Sequence, residues 1–425
     1  MNRLTTPLIA RIPGSKSITN RALLLAAAST GDTRLSAPLL SEDTLAFRTA
    51  LTDLGIRITD ADTGWDVRGG GRGPTVGATT AVACADAGTA ARFLPPFAAT
   101  GRGEFVFDGS DQLRARPLRP LVDALGALGA RVSCGPAAAL PLTVTADGLD
   151  GGDLALDSSF SSQYLTGLLM AAPLMRQPLT VRAKALVSRP YIDMTLALMR
   201  HFGATAEDHG DGTITVRPGG YRAADLTVEP DASTASYVLA AAAVTGRSVT
   251  VPGLGGTSLQ GDLGFAHVLR RTGAHVAVTD TATTVTGRPD GALTGGFAVD
   301  MGDISDTFMT LAAIAPLADA PITIHGIAHA RFKESDRIEA VARNLGALGI
   351  RTEQGPDRIT VHPGATGPAE IACHRDHRIA MAFSVLGLRA GGIALDDPSC
   401  VGKTFPGFHA ELRRLFPDHT TPQGI

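Results

Sequence analysis

The 425-residue sequence predicts an α/β protein built from six similar units. Two recurring segments, running in one phase, carry that prediction, and the composition agrees with it. The first series opens at Pro13-Gly14-Ser15-Lys16-Ser17-Ile18-Thr19-Asn20-Arg21 and runs into Ala22-Leu23-Leu24-Leu25-Ala26-Ala27-Ala28. A Pro/Gly turn and small hydroxyl residues suit a helix N-cap, and the Ala/Leu run is a strong helix former. Segments of similar make-up start at Gly88, Ser162, Ser233, Asp306 and His377. Counted from Ser17, the intervals are about 71, 74, 71, 73 and 71 residues.

The second series begins at Leu51-Thr52-Asp53-Leu54-Gly55-Ile56. It returns around Gly129, Gly203, Gly273 and Gly349, spaced by about 70 to 76 residues. Each copy reads as the end of an amphipathic helix, a glycine C-cap and then a strand. A last copy, Glu411-Leu412-Arg413-Arg414-Leu415-Phe416-Pro417, lacks the glycine. Strands are expected at Gly103–Phe107 and Ser248–Val251, where residues alternate or are β-branched. A basic start followed by a short apolar run also suits a secretory signal peptide. A cleaved leader would not recur six times, so the segment is assigned to the mature fold.

Composition bounds the function. The chain is 44% hydrophobic with a formal net charge of −3 and 5% aromatic residues. Nucleic-acid binding is disfavoured, since backbone contacts want a basic excess and base stacking wants aromatics. No apolar run reaches the roughly 18 residues of a membrane span. Cys84, Cys134, Cys373 and Cys400 stand far apart with no CxxC pair, so neither a disulfide framework nor a zinc site is signalled and the cytoplasm is the default. Three units per domain is the natural division. The expected boundaries give one domain of residues 14–229 and another of 1–13 with 230–425, broken at Thr227-Val228-Glu229-Pro230.

Helix starts are ready anion sites, because free backbone N–H groups and the positive dipole end meet there. Charged residues cluster at these starts and in nearby loops: Lys16 and Arg21; Arg114 and Arg116; Arg189; Asp306; Lys333-Glu334-Ser335-Asp336-Arg337; Asp376-His377-Arg378; Lys403. Each has a plain alternative. Lys333 to Arg337 reads as a solvated helix face with i,i+3 and i,i+4 pairs. Asp306 alone reads as an N-cap, His377 as a cap or packing histidine, and Arg92 as a tether for its own helix.

Taken together these motifs resemble the 5-enolpyruvylshikimate-3-phosphate synthase family, the 3-phosphoshikimate 1-carboxyvinyltransferases. The likeness runs over essentially the whole chain. It rests on PGSKSITNRALLLAA at 13–27, AGTAAR at 87–92, RPL at 116–118, SSQYLTGLLMAAPL at 161–174, SRPYIDMT at 188–195, DASTASYVLAAAA at 231–243, KESDR at 333–337, DHRIAM at 376–381 and KTFP at 403–406. The resemblance implies a two-domain inside-out α/β barrel of six βαβαββ units, helices buried and sheets outside, with the active site in the interdomain cleft. It implies transfer of enolpyruvyl from phosphoenolpyruvate to the 5-hydroxyl of shikimate 3-phosphate. It also implies no cofactor and no metal, a cytoplasmic monomer, a place in chorismate and aromatic amino acid biosynthesis, and inhibition by glyphosate.

By the same resemblance, Lys16, Ser17, Arg21, Ser161, Ser162, Gln163, Ser188, Tyr191, Asp306, His329 and Lys333 would bind shikimate 3-phosphate. Lys16, Gly88, Thr89, Arg116, Gln163, Arg337, Arg378 and Lys403 would bind phosphoenolpyruvate. Asp306, Glu334 and Lys16 would move protons. Charge supports the assignment independently: two phosphates and two carboxylates bring roughly −6, against seven proposed cations. A helix dipole supplies only about 0.3–1 kcal/mol, so forked arginine contacts must carry most of the binding. Three positions depart from the family pattern: Asp86 and His329 stand where asparagine is usual, and Arg189 where lysine is common. The sister transferase acting on UDP-N-acetylglucosamine typically carries a cysteine in the loop matching Asp108–Arg116, and this chain has none there. A catalytically dead anion binder would have no need of Asp306 and Glu334.

Overall fold

The structure is a computed structural model that describes residues 6–419. The chain divides into two compact units. One is Gly14–Val228; the other joins the residues up to Pro13 with those from Glu229 onward. Each unit has its own hydrophobic core.

Six helices form the centres of these cores. They are Lys16–Ala28, Ala90–Ala99 and Ser162–Ala171 in one unit, and Ala232–Thr245, Phe308–Ile314 and His377–Gly387 in the other. They are buried nearly all round; every residue of Ala232–Thr245 is buried. That explains their Ala/Leu composition, since no face meets water. Their few hydroxyls are satisfied locally: Thr245 donates to the Ala241 carbonyl and Ser384 to that of Ala380. Gly167 shows how close the packing is. A Cβ there would lie 2.4 Å from the carbonyl oxygen of Arg92 on the neighbouring helix.

Local chemistry sets the helix starts. Ser15, Ser161, Asp231 and Asp376 each accept a hydrogen bond from a backbone N–H two or three residues on. Asp306 does not form the cap that its local sequence alone allows. Thr307 holds that position, and the carboxylate of Asp306 faces basic side chains instead.

The helices are wrapped by sheets. Thr80–Ala83 runs parallel to Arg102–Asp108, and the same pairing joins Gly152–Asp157 to Leu179–Lys184, Phe297–Asp300 to Ile322–His325, and Ala369–Ile371 to Ile393–Leu395. Each pair brackets one central helix, the connection parallel strands require. In the first five units an outer helix and an antiparallel hairpin follow. The outer helices are Glu42–Asp53, Arg119–Ala127, Arg189–His201, Phe265–Arg271 and Arg337–Ala347. Each ends before Gly55, Gly129, Gly203, Gly273 or Gly349, at φ of 86°, 99°, 84°, 92° and 82°. Only glycine takes that left-handed turn without strain.

Two units borrow a strand. Ser29–Ser36 takes its parallel partners from Tyr221–Arg222 and Leu226–Thr227, and Ser248–Pro252 takes Leu8–Ile9. The sheets stay separate, and among the described residues none closes on itself. The fold is therefore α/β with helices inside and mixed sheets outside, and the expected barrel is an arrangement of open sheets. No helix of the described residues is long and apolar enough to cross a membrane.

Candidate active site

The predicted site residues fall into two sets, one in each unit. In the Gly14–Val228 unit, Lys16 opens the first central helix, and its Nζ lies 3.4 Å from Oδ2 of the buried Asp43. Arg21 lies one turn on and is 2% exposed. Its Nε donates to Thr195 Oγ1 at 2.8 Å and its Nη1 to the Ser17 carbonyl at 2.9 Å. Longer bonds of 3.4 and 3.5 Å run from Nη2 to the Tyr191 carbonyl and Thr166. The guanidinium also sits over the rings of Phe93 and Tyr191. These acceptors are all neutral. Burial accordingly pulls the Arg21 pKa down to about 10, against a smaller opposing effect of Tyr191.

Gly88 stands between two guanidiniums. A Cβ there would lie 2.8 Å from Arg116 Nη1 and 3.0 Å from Arg92 Nη1. Arg92 donates to the Gly88 carbonyl at 2.9 Å, the tether expected of it. The Nε of Arg116 is buried with no hydrogen-bond partner in the protein. Thr89 receives a 2.8 Å bond from Asn20 Nδ2. Asp86 is half-buried and accepts the Ser110 hydroxyl. Arg189 is engaged by Asp193 and Asp208.

Ser161 caps the third central helix, Ser162 follows on its first turn, and the buried Oε1 of Gln163 has no protein partner. Ser188 is buried at φ 53°, ψ 50°, a left-handed conformation unusual for a serine. Such strain collects at functional loops. Tyr191, half-buried three residues later, donates its N–H to the Ser188 carbonyl at 3.1 Å.

In the other unit the acids and bases are interleaved around Arg337, which is 1% exposed. Its Nε lies 2.8 Å from Asp376 Oδ2, its Nη1 2.9 Å from Asp306 Oδ1, and its Nη2 2.7 Å from Glu334 Oε2. Burial opposes the guanidinium's charge, but Asp376, Glu334 and Asp306 outweigh it and raise its pKa. Four of its five N–H groups are thus directed at carboxylates. Arg378 Nη2 holds Asp306 Oδ2 at 2.8 Å, and Lys333 Nζ lies 3.7 Å from Asp306 Oδ1. Burial favours protonation of Asp306, yet Arg378, Lys333 and Arg337 together hold it well below the usual carboxylate range. Lys403, 6% exposed, places Nζ 4.0 Å from Glu334 Oε1.

His329 is buried, with Nε2 2.7 Å from Ser305 Oγ. Burial, helped by Lys333, pushes its pKa down to about 4, so the ring is neutral near pH 7. His377 is fully buried, its Nδ1 4.0 Å from Asp376 Oδ1.

Sequence reasoning missed three partners. Asp376, Asp43 and Asn20 hold Arg337, Lys16 and Thr89, but had no assigned role. Asp376 and Asn20 lay inside quoted motifs, so an unexplained polar residue beside an assigned one was the available signal. Asp43 is distant from Lys16 in sequence and offered none.

Buried cations at helix starts, with carboxylates set among them, are the makings of an α/β enzyme that works on small anions. The chain belongs to the EPSP synthase (3-phosphoshikimate 1-carboxyvinyltransferase) family, whose sequence model matches residues 2–412. It is 44% identical over 408 residues to a 3-phosphoshikimate 1-carboxyvinyltransferase of Nostoc punctiforme, covering 95% of each chain. It is 40% identical over 399 residues to the one of Methanosphaerula palustris, covering 93% of this chain and 94% of that one. EPSP synthase from Acinetobacter baumannii superposes with a TM-score of 0.79 at 26% identity, over 96% of this chain and 95% of that one. The enolpyruvyl transferase NikO from Streptomyces tendae shares the fold, with a TM-score of 0.77 at 18% identity over 97% and 95%.

Proposed function

We propose that the chain transfers the enolpyruvyl group of phosphoenolpyruvate to the 5-hydroxyl of shikimate 3-phosphate, releasing phosphate, by addition and elimination through a tetrahedral ketal. The observation that carries this reading is the set of contacts around Arg337: Asp306 and Glu334 each lie within 3 Å of its fork. A protein that only bound anions would gain from the cations and lose from the acids.

The residues divide the work as follows. Lys16, Ser17, Arg21, Ser161, Ser162, Gln163, Ser188 and Tyr191 hold the acceptor's phosphate and ring, with Asp306, His329 and Lys333 toward its hydroxyls and rim. Lys16, Gly88, Thr89, Arg116, Gln163, Arg337, Arg378 and Lys403 hold the donor. Asp306 takes the 5-hydroxyl proton. Glu334 and Lys16 give a proton to the donor methylene and take one back as phosphate leaves. While three cations surround Asp306 it is a weak base. Donor anions draw Arg378 and Lys403 toward themselves, and the basicity of Asp306 and Glu334 rises as these cations leave. The reaction thus assembles its own base only when the donor is bound.

We place this activity in a cytoplasmic monomer, since one chain supplies both residue sets. Purified protein given phosphoenolpyruvate and shikimate 3-phosphate is expected to release phosphate. Release with UDP-N-acetylglucosamine in place of shikimate 3-phosphate, and none with the latter, overturns the reading.

A further inference from the structure

Beyond each hairpin the chain returns to the outer helix on its way to the next central helix, and four of the five outer helices hold it there with a polar side chain. Two residues before its glycine, Asp53 accepts the N–H of Ala83 at 3.3 Å. At the same position His201 Nε2 meets the Asp225 carbonyl at 3.0 Å, and Arg271 lies 4.3 Å over the ring of Phe297. In the fifth helix the task falls to Asn344, five residues before its glycine. It bonds both the N–H and the carbonyl of Ala372, at 2.9 and 3.1 Å. The helix Arg119–Ala127 has alanine at both places, Ala127 and Ala124.

A groove of about 610 Å³ opens there, against Leu154–Asp157 of the edge strand Gly152–Asp157. Its volume is that of a site for a small ligand. Leu154, Leu156, Phe160 and Tyr164 give it apolar walls, and Phe160 is 38% exposed, unusual for so large an apolar side chain. Three charges stand at its rim: Arg119, Asp123 and Asp157. Arg119 is occupied, lying 3.5 Å from Asp123 and donating to the Pro136 carbonyl at 3.0 Å. Asp157 accepts the Ser159 N–H at 2.9 Å and stays exposed at the rim; Lys184 neighbours it across the strand ladder but does not line the groove.

We propose that this groove is a second binding site, for a small ligand with an aromatic body and a cationic amine head. The ring packs on Phe160 beside Ala127, and the ammonium meets Asp157 at the rim. Charge complementarity selects the amine over an aryl acid, which would face an excess of carboxylate.

Titration of the full-length protein with phenethylamine and with 3-phenylpropionate, followed by calorimetry or by NMR of the Phe160 and Tyr164 rings, tests this. Saturable binding of phenethylamine is expected, with the acid at least about tenfold weaker. Ala127→Leu fills the groove without adding charge and should weaken the amine by about tenfold or more, with phosphate release unaltered. A folded, active Ala127→Leu protein that still binds phenethylamine fully overturns the proposal. So do equal affinities for amine and acid, or no saturation with either. The readout is binding alone, so it stands apart from the enolpyruvyl transfer reaction.

Discussion

Arg337 Nε donates to Asp376 Oδ2 at 2.8 Å, and both side chains are almost wholly withdrawn from water. Asp376 also caps the helix His377–Gly387 by accepting from the Arg378 N–H at 3.1 Å. One carboxylate thus fixes a guanidinium from one unit of the repeat and starts the helix of the next. Removing one partner of such a pair strands the other's charge, which costs about 3–5 kcal/mol. Arg337→Ala should lower the unfolding free energy by about that much in urea titrations, and adding Asp376→Asn should recover part of it.

Arg21 behaves differently, because its buried charge meets only neutral oxygens. We expect Arg21→Met to leave the unfolding free energy unchanged or to raise it, by up to about 2 kcal/mol, while acceptor binding falls by more than about tenfold. Denaturant curves with and without shikimate 3-phosphate measure both. A large loss of stability without ligand would show that Arg21 is there for the fold.

Gly88 has no room for a side chain without moving Arg116. Gly88→Ala is expected to displace that guanidinium and raise KM for phosphoenolpyruvate. One charged hydrogen bond is worth about 1.5–3 kcal/mol, so the rise should be about tenfold or more, with a smaller change in kcat. Glyphosate should compete with phosphoenolpyruvate in the unaltered protein and compete less well in the variant. Steady-state kinetics at several inhibitor levels checks both.

His329 gives a pH signature. Its pKa is about 4 folded and about 6.5 unfolded. Between these values the unfolded chain takes up a proton that the folded site refuses. Its contribution is therefore complete above pH 6.5 and is lost as the pH falls toward 4, by at most about 3 kcal/mol. His329→Asn should flatten stability over that window. Asp306 adds no slope there beyond its own unfolded titration near pH 4, because its folded pKa lies well below the usual range.

The repeat, the caps and the outer-helix glycines were legible because each is a local signal. A left-handed residue before a strand calls for glycine, and a free N–H turn calls for serine or aspartate. The membership of the acidic and basic cluster was legible in part. Glu334 and Arg337 are three residues apart on one helix start, whereas Asp376 lies 39 positions from Arg337 and no periodicity links them. Taken alone, the local sequence of Asp306 also allowed a cap, and only the three distant cations around it decide against that alternative. Leu8–Ile9 is too short for a strand pattern, and its partner Val249–Thr250 lies across most of the chain.

That pairing bears on how the polypeptide matures as it leaves the ribosome. The stretch from Gly14 can close its last sheet once Leu226–Thr227 has been made, since those residues dock on Ser29–Ser36. The opening residues Leu8–Ile9 must wait, unattached, until Ser248–Pro252 emerges. Nascent chains arrested so that Thr227, but not yet Ser248, has cleared the ribosome should therefore already resist protease from Gly14 onward while being clipped ahead of it.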